Sequence, residues 1–526
     1  MKLKELINCS ENLGSLEITG VTCDSRKVEE GFAFVCIAGS VSDGHDYAQK
    51  ALESGAAVII CERDLGLQNQ IIVQNTHSAF AQMSANWFKN PAKDLKLIGV
   101  TGTNGKTSVT YMLKKILEAK GYKVGLIGTI QNMIADEIIA TNNTTPDAYE
   151  LNRLFSAMKE KGCTYVIMEV SSHALDQCRV YDLDFEVAIF TNLTQDHLDY
   201  HITMDNYLQA KKKLFSMCKT AIINLDDEYA QKIMEGIDCK VITYSTGNNS
   251  TYSAKGINYR PASVDYELVS DDILQHISVK TGGKFTVYNS LCAICAALEL
   301  GLDVKEIAQS ISKLEGVKGR AEVVPTDKDF TVIIDYAHTP DGLKNILLTF
   351  RECKKRRLIS LFGCGGDRDK TKRPIMGSIA ARYSDFVIIT SDNPRTENPS
   401  EIIKDILVGL DGTTTPYKVI ENRIDAIKYA IRIAQPQDII VLAGKGHETY
   451  QILSTGKIHL DEREIVAEAL KEIYKRGNNN ERYYICYCRG SCFSCNGYFG
   501  ICYHSLLEKA EIRSDHFGGR PEMAQG

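Results

Sequence analysis

Long hydrophobic runs are missing from this sequence. No segment approaches the roughly 20 consecutive apolar residues that a helix needs to cross a bilayer. The amino-terminal segment MKLKELINCSENLGSLEITG also lacks the apolar centre of a secretory signal. Both absences predict a cytoplasmic protein with no transmembrane segment.

A strong net charge is missing as well. The 526 residues carry a formal net charge of -6, and 44% of them are hydrophobic and 24% charged, which is a globular composition. This balance gives no reason to expect nucleic acid or an anionic membrane as a partner. A chain of this length is too long for one ordinary core, so we expect about three domains.

The distribution of cysteine does not suit a disulfide scaffold. Twelve of the 17 cysteines are scattered through residues 1–475, several inside apolar segments such as YNSLCAICAALEL, and we interpret them as reduced core cysteines. The other five fall in the segment 477–526, which lacks apolar periodicity. Zinc binding there is one interpretation, but the second ligand pair of a ribbon or finger is missing, and a disordered extension is preferred. The candidate zinc ligands are Cys486, Cys488, Cys492 and Cys495.

The rest of the chain divides into three sections by pattern. Residues 1–93 mix short apolar runs with turns such as SVSDGHDY, which indicates a small α/β domain. Residues 94–321 and 322–476 alternate apolar, β-branched runs with helical spacing, which is typical of mostly parallel sheets covered on both faces. Polar residues follow the strands, so they are expected at the carboxyl ends, where such sheets bind ligands. The predicted strands are LKLIGV, TYVIMEV, EVAIFTN and TAIINLD, and then FTVIIDY, RRLISLFG, DFVIITSD and QDIIVLAG.

The stretch IGVTGTNGKTS joins a predicted strand to a predicted amphipathic helix. Glycines let backbone N–H groups approach phosphate oxygens, a lysine can reach the terminal phosphates, and a threonine can ligate magnesium. The pattern predicts an ATP or GTP site, although Val100 stands where a strict Walker A motif has glycine. The helix is expected to bury Val109, Met112, Leu113, Ile116 and Leu117 and to end at Gly121. The predicted phosphate-binding residues are Gly102, Thr103, Asn104, Gly105, Lys106, Thr107 and Ser108.

TGTNGKTS is followed in order by NTTPD, EVSSHAL, TNLTQDHLDYH and DNPR. With these motifs the chain resembles the Mur ligase family over residues 1 to about 475, and it is similar to the MurE type, which adds meso-2,6-diaminopimelate. The resemblance implies a three-domain α/β architecture. A small N-terminal domain would precede a central P-loop ATPase-like domain with a parallel sheet and a C-terminal Rossmann-like domain.

The resemblance also implies the reaction. The γ-phosphate of ATP would pass to the free carboxylate of D-Glu in UDP-MurNAc-L-Ala-D-Glu, giving an acyl phosphate. The amine of meso-diaminopimelate would then displace phosphate. The protein would be a cytoplasmic, monomeric ligase of peptidoglycan precursor synthesis with these small molecules as its partners.

By the same resemblance, two magnesium ions bridge the phosphates and the carboxylate. Thr107, Glu169 and His197 would serve these ions, and Lys211 would do so as a carbamate formed with carbon dioxide. Carbamylation needs a neutral amine, and we expect the two lysines that follow Lys211 to lower its pKa. The catalytic residues implied are Lys106, Glu169, His197 and Lys211.

The resemblance implies two further sets of polar residues, one for the adenine and ribose of ATP and one for the UDP-MurNAc-dipeptide. Hydroxyls, amides and a guanidinium suit a sugar and an anionic peptide. The family usually has asparagine where Thr286 stands, which puts one polar contact near the nucleotide in doubt. The residues implied for adenine and ribose are Asn289, Arg320 and Asp335. Those implied for the UDP-MurNAc-dipeptide are Ser25, Ser40, Val41, Ser42, Asn143, Thr144, Thr145, Ser171, Gln177 and Arg179.

The third section is implied to read the added amino acid. Pro394 fixes a turn directly after a strand, and the planar guanidinium of Arg395 can take a carboxylate through two hydrogen bonds. Glu448 would pair with an ammonium group. Lysine lacks the distal carboxylate of diaminopimelate, so a site built for that carboxylate would reject lysine by leaving a buried charge unpaired. The residues implied are Arg368, Asp392, Asn393, Pro394, Arg395, Gly444 and Glu448.

Two alternative classes stay open. Within the fold, the chain could be a lysine-adding ligase, a MurF-type ligase or a folylpolyglutamate synthase, and the DNPR motif argues against these. From another class, a noncatalytic nucleotide-binding switch would use only the phosphate loop, and the metal ligands and amino-acid motifs argue against it. For a ligase, closure of the last domain is expected to bring amine and acyl phosphate together.

Overall fold

The computed structural model describes residues 1–39, 42–141 and 143–477, and Met1–Lys475 forms one compact unit. Ser40, Val41 and the cysteine-rich segment from residue 478 onward, with its candidate zinc ligands, lie outside the described residues. Within the described ranges, no helix is both long and apolar enough to span a membrane.

The first section is a small α/β layer, as expected. Its four strands pair in parallel in the order β1-β2-β3-β4. The side chains of Val35, Ile60 and Phe80 belong to its core. The strands are β1 Gly20–Thr22, β2 Phe32–Val35, β3 Val58–Cys61 and β4 Gln70–Ile72. The helices are α1 Leu3–Leu6, α2 Glu11–Gly14, α3 Ala48–Glu53 and α4 Thr76–Trp87.

The second section is built on an eleven-stranded sheet in the order β15-β14-β13-β12-β11-β10-β5-β9-β6-β7-β8. Its centre, from β13 to β6, is parallel, and the strands beyond it, β14 and β15 at one end and β7 and β8 at the other, pair in antiparallel fashion. The strands are β5 Lys96–Thr101, β6 Val124–Ile127, β7 Asn132–Ile134, β8 Glu137–Ile139, β9 Tyr165–Glu169, β10 Phe185–Phe190, β11 Cys218–Asn224, β12 Lys240–Ser245, β13 Tyr252–Arg260, β14 Ser263–Val269 and β15 Leu274–Val279.

Helices cover both faces of this sheet. The predicted face of α5 is buried, and Gly121, at φ 92°, lies just past its end. Helix α11 is apolar on nearly all sides and packs against α5 in the same core. The helices are α5 Lys106–Ala119, α6 Ala148–Glu160, α7 Ser172–Asp176, α8 Leu198–His201, α9 Met204–Lys212, α10 Ala230–Met234, α11 Lys284–Glu299 and α12 Val304–Ser312.

The third section is a six-stranded sheet in the order β16-β17-β21-β18-β19-β20, parallel except for β16, followed by a hairpin. The strands are β16 Glu322–Val324, β17 Thr331–Asp335, β18 Leu358–Phe362, β19 Phe386–Ile389, β20 Tyr417–Val419, β21 Ile439–Ala443, β22 Tyr450–Leu453 and β23 Gly456–His459. The helices are α13 Pro340–Cys353, α14 Lys372–Tyr383, α15 Pro399–Val408, α16 Arg423–Ile433 and α17 Glu462–Gly477.

All eight strands predicted in the two larger sheets are present, so the predicted fold class is confirmed. The proposed domain limits at 93/94 and 321/322 fall between the strands of successive sheets. The strands β6 to β8, β12 to β16 and β20 and the hairpin β22–β23 were not predicted.

Candidate active site

The nucleotide loop lies between the carboxyl end of β5 and the start of α5. Gly102 and Gly105 have φ of 148° and 90°, which suits glycine. A Cβ atom on Gly105 would lie 2.4 Å from Oδ1 of Asn289, so α11 packs directly against the loop. Nζ of Lys106 donates to the carbonyl oxygens of Gly102 and Thr103 at 2.8 and 2.9 Å. Burial lowers the pKa of Lys106.

A buried carboxylate faces this loop from the neighbouring strand. Glu169, the last residue of β9, is 1% exposed. It accepts hydrogen bonds from the hydroxyl of Thr107 at 3.1 Å and from the backbone N–H and hydroxyl of Thr129 at 2.8 and 3.0 Å. All three donors are neutral, so a divalent cation beside Thr107 fits the negative charge of this carboxylate.

Lys211 lies under the same loop. Its side chain is 1% exposed, and Nζ donates to the carbonyl oxygen of Gly102 at 3.0 Å and lies 4.5 Å from the ring centroid of Tyr207. Burial, followed by the charge of Lys106, lowers the pKa of Lys211 well below its ordinary value. The expectation that Lys212 and Lys213 cause this shift is wrong, because the side chain of Lys211 points inward, away from the solvent-facing lysines that follow it.

His197 lies in the loop after β10 with φ 53°. Its ring is 4.9 Å from that of His173 and 6.1 Å from that of Tyr207, between centroids, and burial lowers its pKa. His197 does not meet Glu169 in a ready-made cluster, since no three His, Cys, Asp or Glu side chains converge as a metal site within the described ranges. Magnesium commonly binds through one or two carboxylates and substrate phosphates, so Thr107 and Glu169 still fit it.

Two further histidines belong to this part of the site and were missed. His201 contacts the hydroxyl of Ser172 at 2.9 Å, and its ring stacks on that of Tyr207. His173 lies between the rings of His197 and Tyr200, and burial and the two other histidines lower its pKa to about 4. Both lie within the motifs EVSSHAL and QDHLDYH, but they belong to single-turn helices, α7 and α8, which are too short to give a periodic signal in a sequence.

Several residues implied for the muramoyl dipeptide converge around Thr145. Its hydroxyl donates to the carbonyl oxygen of Glu169 at 2.9 Å and accepts from the backbone N–H of Ser171 at 3.0 Å. Nη1 of Arg179 donates to the carbonyl oxygen of Thr145 at 2.7 Å, and its other nitrogens contact Oε1 of Gln177. The side chain of Thr144 contacts that of Thr129 at 3.0 Å.

Among the residues that the structure describes, the others implied for the UDP-MurNAc-dipeptide make no hydrogen bond to Thr145. The carbonyl oxygen of Asn143 accepts from the hydroxyl of Thr141 at 2.7 Å, and that of Ser42 accepts from the N–H of Gly39 at 3.0 Å. Ser25 begins a short 3-10 turn in the first section. Cys23, two residues before Ser25, has a pKa raised to about 12 by burial and then by the charge of Asp147, and Cys23 in turn affects the pKa of Arg179, one of the dipeptide residues.

Arg320 connects the nucleotide loop to the third section. Nη2 lies 3.4 Å from the hydroxyl of Thr107, and the guanidinium lies over the ring of Tyr336 at 5.0 Å. Its Nε is buried with no hydrogen-bond partner among the described residues. The carboxylate of Asp335 accepts from the backbone N–H groups of Ala321 and Ala337, and burial raises its pKa. The hydroxyl of Thr286 donates to the carbonyl oxygen of Gly282, just before the start of α11, at 2.9 Å.

The DNPR loop meets a buried lysine that was not predicted. Nζ of Lys445 is buried and donates to Oδ1 of Asn393, to Oε2 of Glu448 at 3.1 Å and to the carbonyl oxygen of Tyr450 at 2.8 Å. Asp392 lies 3.6 Å from the same ammonium. Nδ2 of Asn393 donates to Glu448 at 3.0 Å. Lys445 therefore orients three of the implied amino-acid ligands.

Arg395 follows Pro394 in a left-handed conformation, with φ 53°. Its Nη1 donates to the carbonyl oxygen of Gly366 at 2.7 Å. Arg368 lies on the other side of Gly365, where a Cβ would be 3.0 Å from Nη1 of Arg395 and 3.9 Å from Cγ of Arg368. The structure thus brings the two arginines together at the carboxyl end of the third sheet.

Behind Asp392 lies a fully buried ion pair that was also missed. Arg423 and Glu462 are 0 to 1% exposed, and Nη2 of Arg423 contacts Oε1 of Glu462 at 2.8 Å. Nη1 of Arg423 is 4.0 Å from Oδ2 of Asp392. A Cβ on Gly444, at φ 111°, would lie 2.6 Å from the same Oδ2. Arg423 and Gly444 therefore both pack against the carboxylate of Asp392.

The nucleotide loop also touches the third section through Asp341 of α13. Oδ2 of Asp341 accepts from Nδ2 of Asn104 at 3.3 Å and from the hydroxyl of Thr194 at 3.0 Å. Together with the Arg320–Thr107 contact, this joins the phosphate-binding residues to the sheet that carries the DNPR loop.

Comparison with known proteins identifies the class. Models of the Mur ligase family, catalytic domain, of the Mur ligase middle domain and of the Mur ligase, glutamate ligase domain match residues 17–92, 100–297 and 319–446. The chain belongs to the Mur ligase family.

Several relatives similar to this chain have the name of one kind of ligase. UDP-N-acetylmuramoyl-L-alanyl-D-glutamate–2,6-diaminopimelate ligase 1 of Clostridium acetobutylicum is 48% identical and covers 90% of this chain and 100% of its own length. The ligase of that name from Caldanaerobacter subterraneus is also 48% identical, covering 88% and 96%. A solved structure of such a ligase has a TM-score of 0.68, 32% identity and coverage of 90% and 99%. MurF of Thermotoga maritima in complex with ADP shares the fold, with a TM-score of 0.57, 18% identity and coverage of 88% and 99%.

Proposed function

We propose that the protein is an ATP-dependent ligase that joins meso-2,6-diaminopimelate to UDP-MurNAc-L-Ala-D-Glu in cytoplasmic peptidoglycan precursor synthesis. The main support is the 48% identity, across 90% of this chain, to a ligase whose name states both substrates. The geometry agrees with it, since the glycine-rich loop and a buried carboxylate lie at the carboxyl end of one sheet, and Arg395 and Arg368 lie on two loops at the carboxyl end of another.

In this proposal the nucleotide loop holds the phosphates of ATP. Backbone N–H groups of Gly105, Lys106 and Thr107 at the start of α5 would bind the phosphates, whereas those of Thr103 and Asn104 donate to Asn192. The side chain of Lys106 would turn from the loop carbonyls to the terminal phosphate. Arg320, whose Nε has no partner among the described residues, supplies a further cation beside Thr107. Magnesium, held by Thr107 and Glu169 with His197 and Lys211 nearby, would offset repulsion between the anions that must meet.

Lys211 is proposed to act as a carbamate. The amine is buried, and its lowered pKa favours the neutral form that reacts with carbon dioxide. The product is an anionic oxygen group in place of a cation, directly beneath the nucleotide loop. This role rests on the family resemblance together with the position of the side chain.

The amino-acid site is proposed to be the DNPR loop and its surroundings. Arg395 and Arg368 would take carboxylates, and Glu448 and Asp392 would take an ammonium group. Asn393, fixed by Lys445, would orient the amine toward the acyl phosphate. Exclusion of water by closure would protect that intermediate.

One assay tests the function. Purified protein is given ATP, magnesium and UDP-MurNAc-L-Ala-D-Glu with either diaminopimelate or lysine, and phosphate and tripeptide product are measured. We expect product with diaminopimelate, and transfer of oxygen-18 from the D-Glu carboxylate into phosphate. If the rate of ATP hydrolysis is the same with and without the two other substrates, the protein is instead a nucleotide switch. A preference for lysine over diaminopimelate would contradict the assigned role of Arg395.

A further inference from the structure

Two thiols approach each other at the amino ends of neighbouring strands. Cys218 begins β11, and Cys239 directly precedes β12. Their sulfur atoms are 3.6 Å apart. The nucleotide loop follows the carboxyl end of β5 in the same parallel part of the sheet, so the two thiols lie at the opposite edge from the candidate active site.

Both thiols are accessible. Each side chain is partly exposed, and both line a surface pocket of about 610 Å³ that is open to solvent. Cys292 and Cys295, which are close in sequence, are fully buried in α11. Among the twelve cysteines that the structure describes, the pair Cys218 and Cys239 thus combines proximity with access.

We propose that Cys218 and Cys239 form an oxidisable dithiol that closes to an intrachain disulfide when it meets a small disulfide oxidant. The sulfur atoms need to move from 3.6 Å to the roughly 2.05 Å of an S–S bond. Cys239 follows a loop rather than lying within a strand, so its backbone can supply this movement.

The exchange occurs in two steps. The thiolate of Cys239 attacks one sulfur of the oxidant, forms a mixed disulfide and releases one thiolate. The thiol of Cys218 then gives its proton to solvent and attacks Sγ of Cys239, which expels the second small thiol. Two protein thiols are oxidised and one disulfide is reduced to two thiols.

The environment of Cys218 sets this order. Burial raises the pKa of its thiol, so it is a poor first nucleophile. Its attack in the second step is intramolecular, and the short distance to Cys239 compensates for its low thiolate fraction.

Oxidised glutathione is the probe for the test, applied to the full-length chain. After treatment, free thiols are alkylated and the protein is digested with trypsin, which places Cys218 in the peptide 214–219 and Cys239 in the peptide 233–240. We expect these two peptides to be recovered as one cross-linked species, lighter by two hydrogen atoms than their sum, and lost on reduction. The oxidised protein should also unfold at a higher temperature.

Single variants test the mechanism. Cys218→Ser should accumulate a glutathione mixed disulfide at Cys239, because the resolving thiol is gone. Cys239→Ser should remain largely unmodified at Cys218. Cys353→Ser, which removes a partly exposed thiol bonded only to backbone carbonyl oxygens of its own helix, should leave the cross-link intact. Absence of the 214–219/233–240 species in the unchanged protein would overturn the proposal, and a mixed disulfide that accumulates at Cys218 in Cys239→Ser but not at Cys239 in Cys218→Ser would overturn the order of attack.

Discussion

The ammonium groups of Lys106 and Lys211 donate to the same carbonyl oxygen, that of Gly102, at 2.8 and 3.0 Å. Lys106 belongs to α5 and Lys211 to α9, so one backbone oxygen joins the nucleotide loop to a helix more than a hundred residues further along the chain. Because the two amines lie close together on one acceptor oxygen, a positive charge on both is unfavourable. The side chain of Lys211 is the more deeply buried of the two, and its pKa is lowered well below its ordinary value.

Lys211→Ala is expected to abolish ligase activity. As a carbamate the side chain would serve the metal directly, so the loss in kcat should exceed the roughly 100-fold that removal of an outer partner of a metal ligand costs. Bicarbonate or short carboxylic acids should restore part of the activity. Lys212→Ala, which changes the adjacent solvent-facing lysine, should remain active, and full activity of Lys211→Ala would remove the carbamate from the mechanism.

Gly105→Ala is expected to impair ATP binding. The new Cβ would lie 2.4 Å from Oδ1 of Asn289, in addition to the backbone strain at φ 90°. Gly121→Ala is the matched control, because its φ is 92° and no atom lies within 4 Å of its Cβ. Both changes should lower the free energy of unfolding by about 1 to 2 kcal/mol through strain, measured by urea denaturation, but only Gly105→Ala should raise KM for ATP. If Gly105→Ala and Gly121→Ala raised KM for ATP equally, backbone strain rather than the contact with Asn289 would explain the effect.

Arg395→Ala is expected to raise KM for diaminopimelate by roughly 30-fold or more, the equivalent of about 2 kcal/mol for a desolvated charge pair. KM for ATP should change little. Arg395→Lys keeps a charge but not the planar fork and should be intermediate. Steady-state kinetics with each substrate varied separately measures the difference, and equal increases in both KM values would show that the turn has a structural role only.

Lys445→Met is expected to weaken diaminopimelate binding and destabilise the fold. Removing one partner from a buried charged cluster costs about 3 to 5 kcal/mol, and Asn393 and Glu448 lose the donor that fixes them. In the variant protein that folds, KM for diaminopimelate should rise and KM for ATP should stay unchanged. Steady-state kinetics with each substrate varied separately measures both values. Lys404→Met, on the exposed face of α15, is the control and should change stability by less than about 0.5 kcal/mol.

Glu397 is expected to contribute acid-sensitive stability. The guanidinium of Arg373, followed by the N–H of Asp367, lowers the pKa of Glu397 from 4.5 to about 2. The folded state therefore favours the charged carboxylate, and its contribution is present above pH 4.5 and is lost as the pH falls toward about 2. The stability difference between the unchanged protein and Glu397→Gln should narrow over that range in urea titrations. Glu401→Gln, at an exposed pair, should show no such trend.

The sequence was informative where one physical signal dominates. Continuous apolar runs identified the central strands, because a strand covered on both faces must be apolar on both. The glycine-rich loop was recognisable because its spacing is set by phosphate geometry. Strands such as β14 were missed although their burial alternates along the chain, because their exposed polar residues resemble those of a loop.

The missed site residues have a different cause. Lys445, Arg423 and Glu462 are distant in sequence from the DNPR loop, and a buried charge gives no pattern until its partners are known. The direction of the pKa shift at Lys211 was anticipated, but its cause was not. The sequence places Lys212 and Lys213 beside it, whereas the fold places Lys106 there.

The phosphate-binding loop and Glu169 belong to the eleven-stranded sheet, whereas the DNPR loop, Lys445 and the Arg423–Glu462 pair belong to the six-stranded one. The amino-acid sequences of the two sheets and their loops can therefore diverge at different rates during evolution. Replacement of loops on the smaller sheet would give an enzyme that accepts another amine, while the inherited machinery for activating a carboxylate stays untouched.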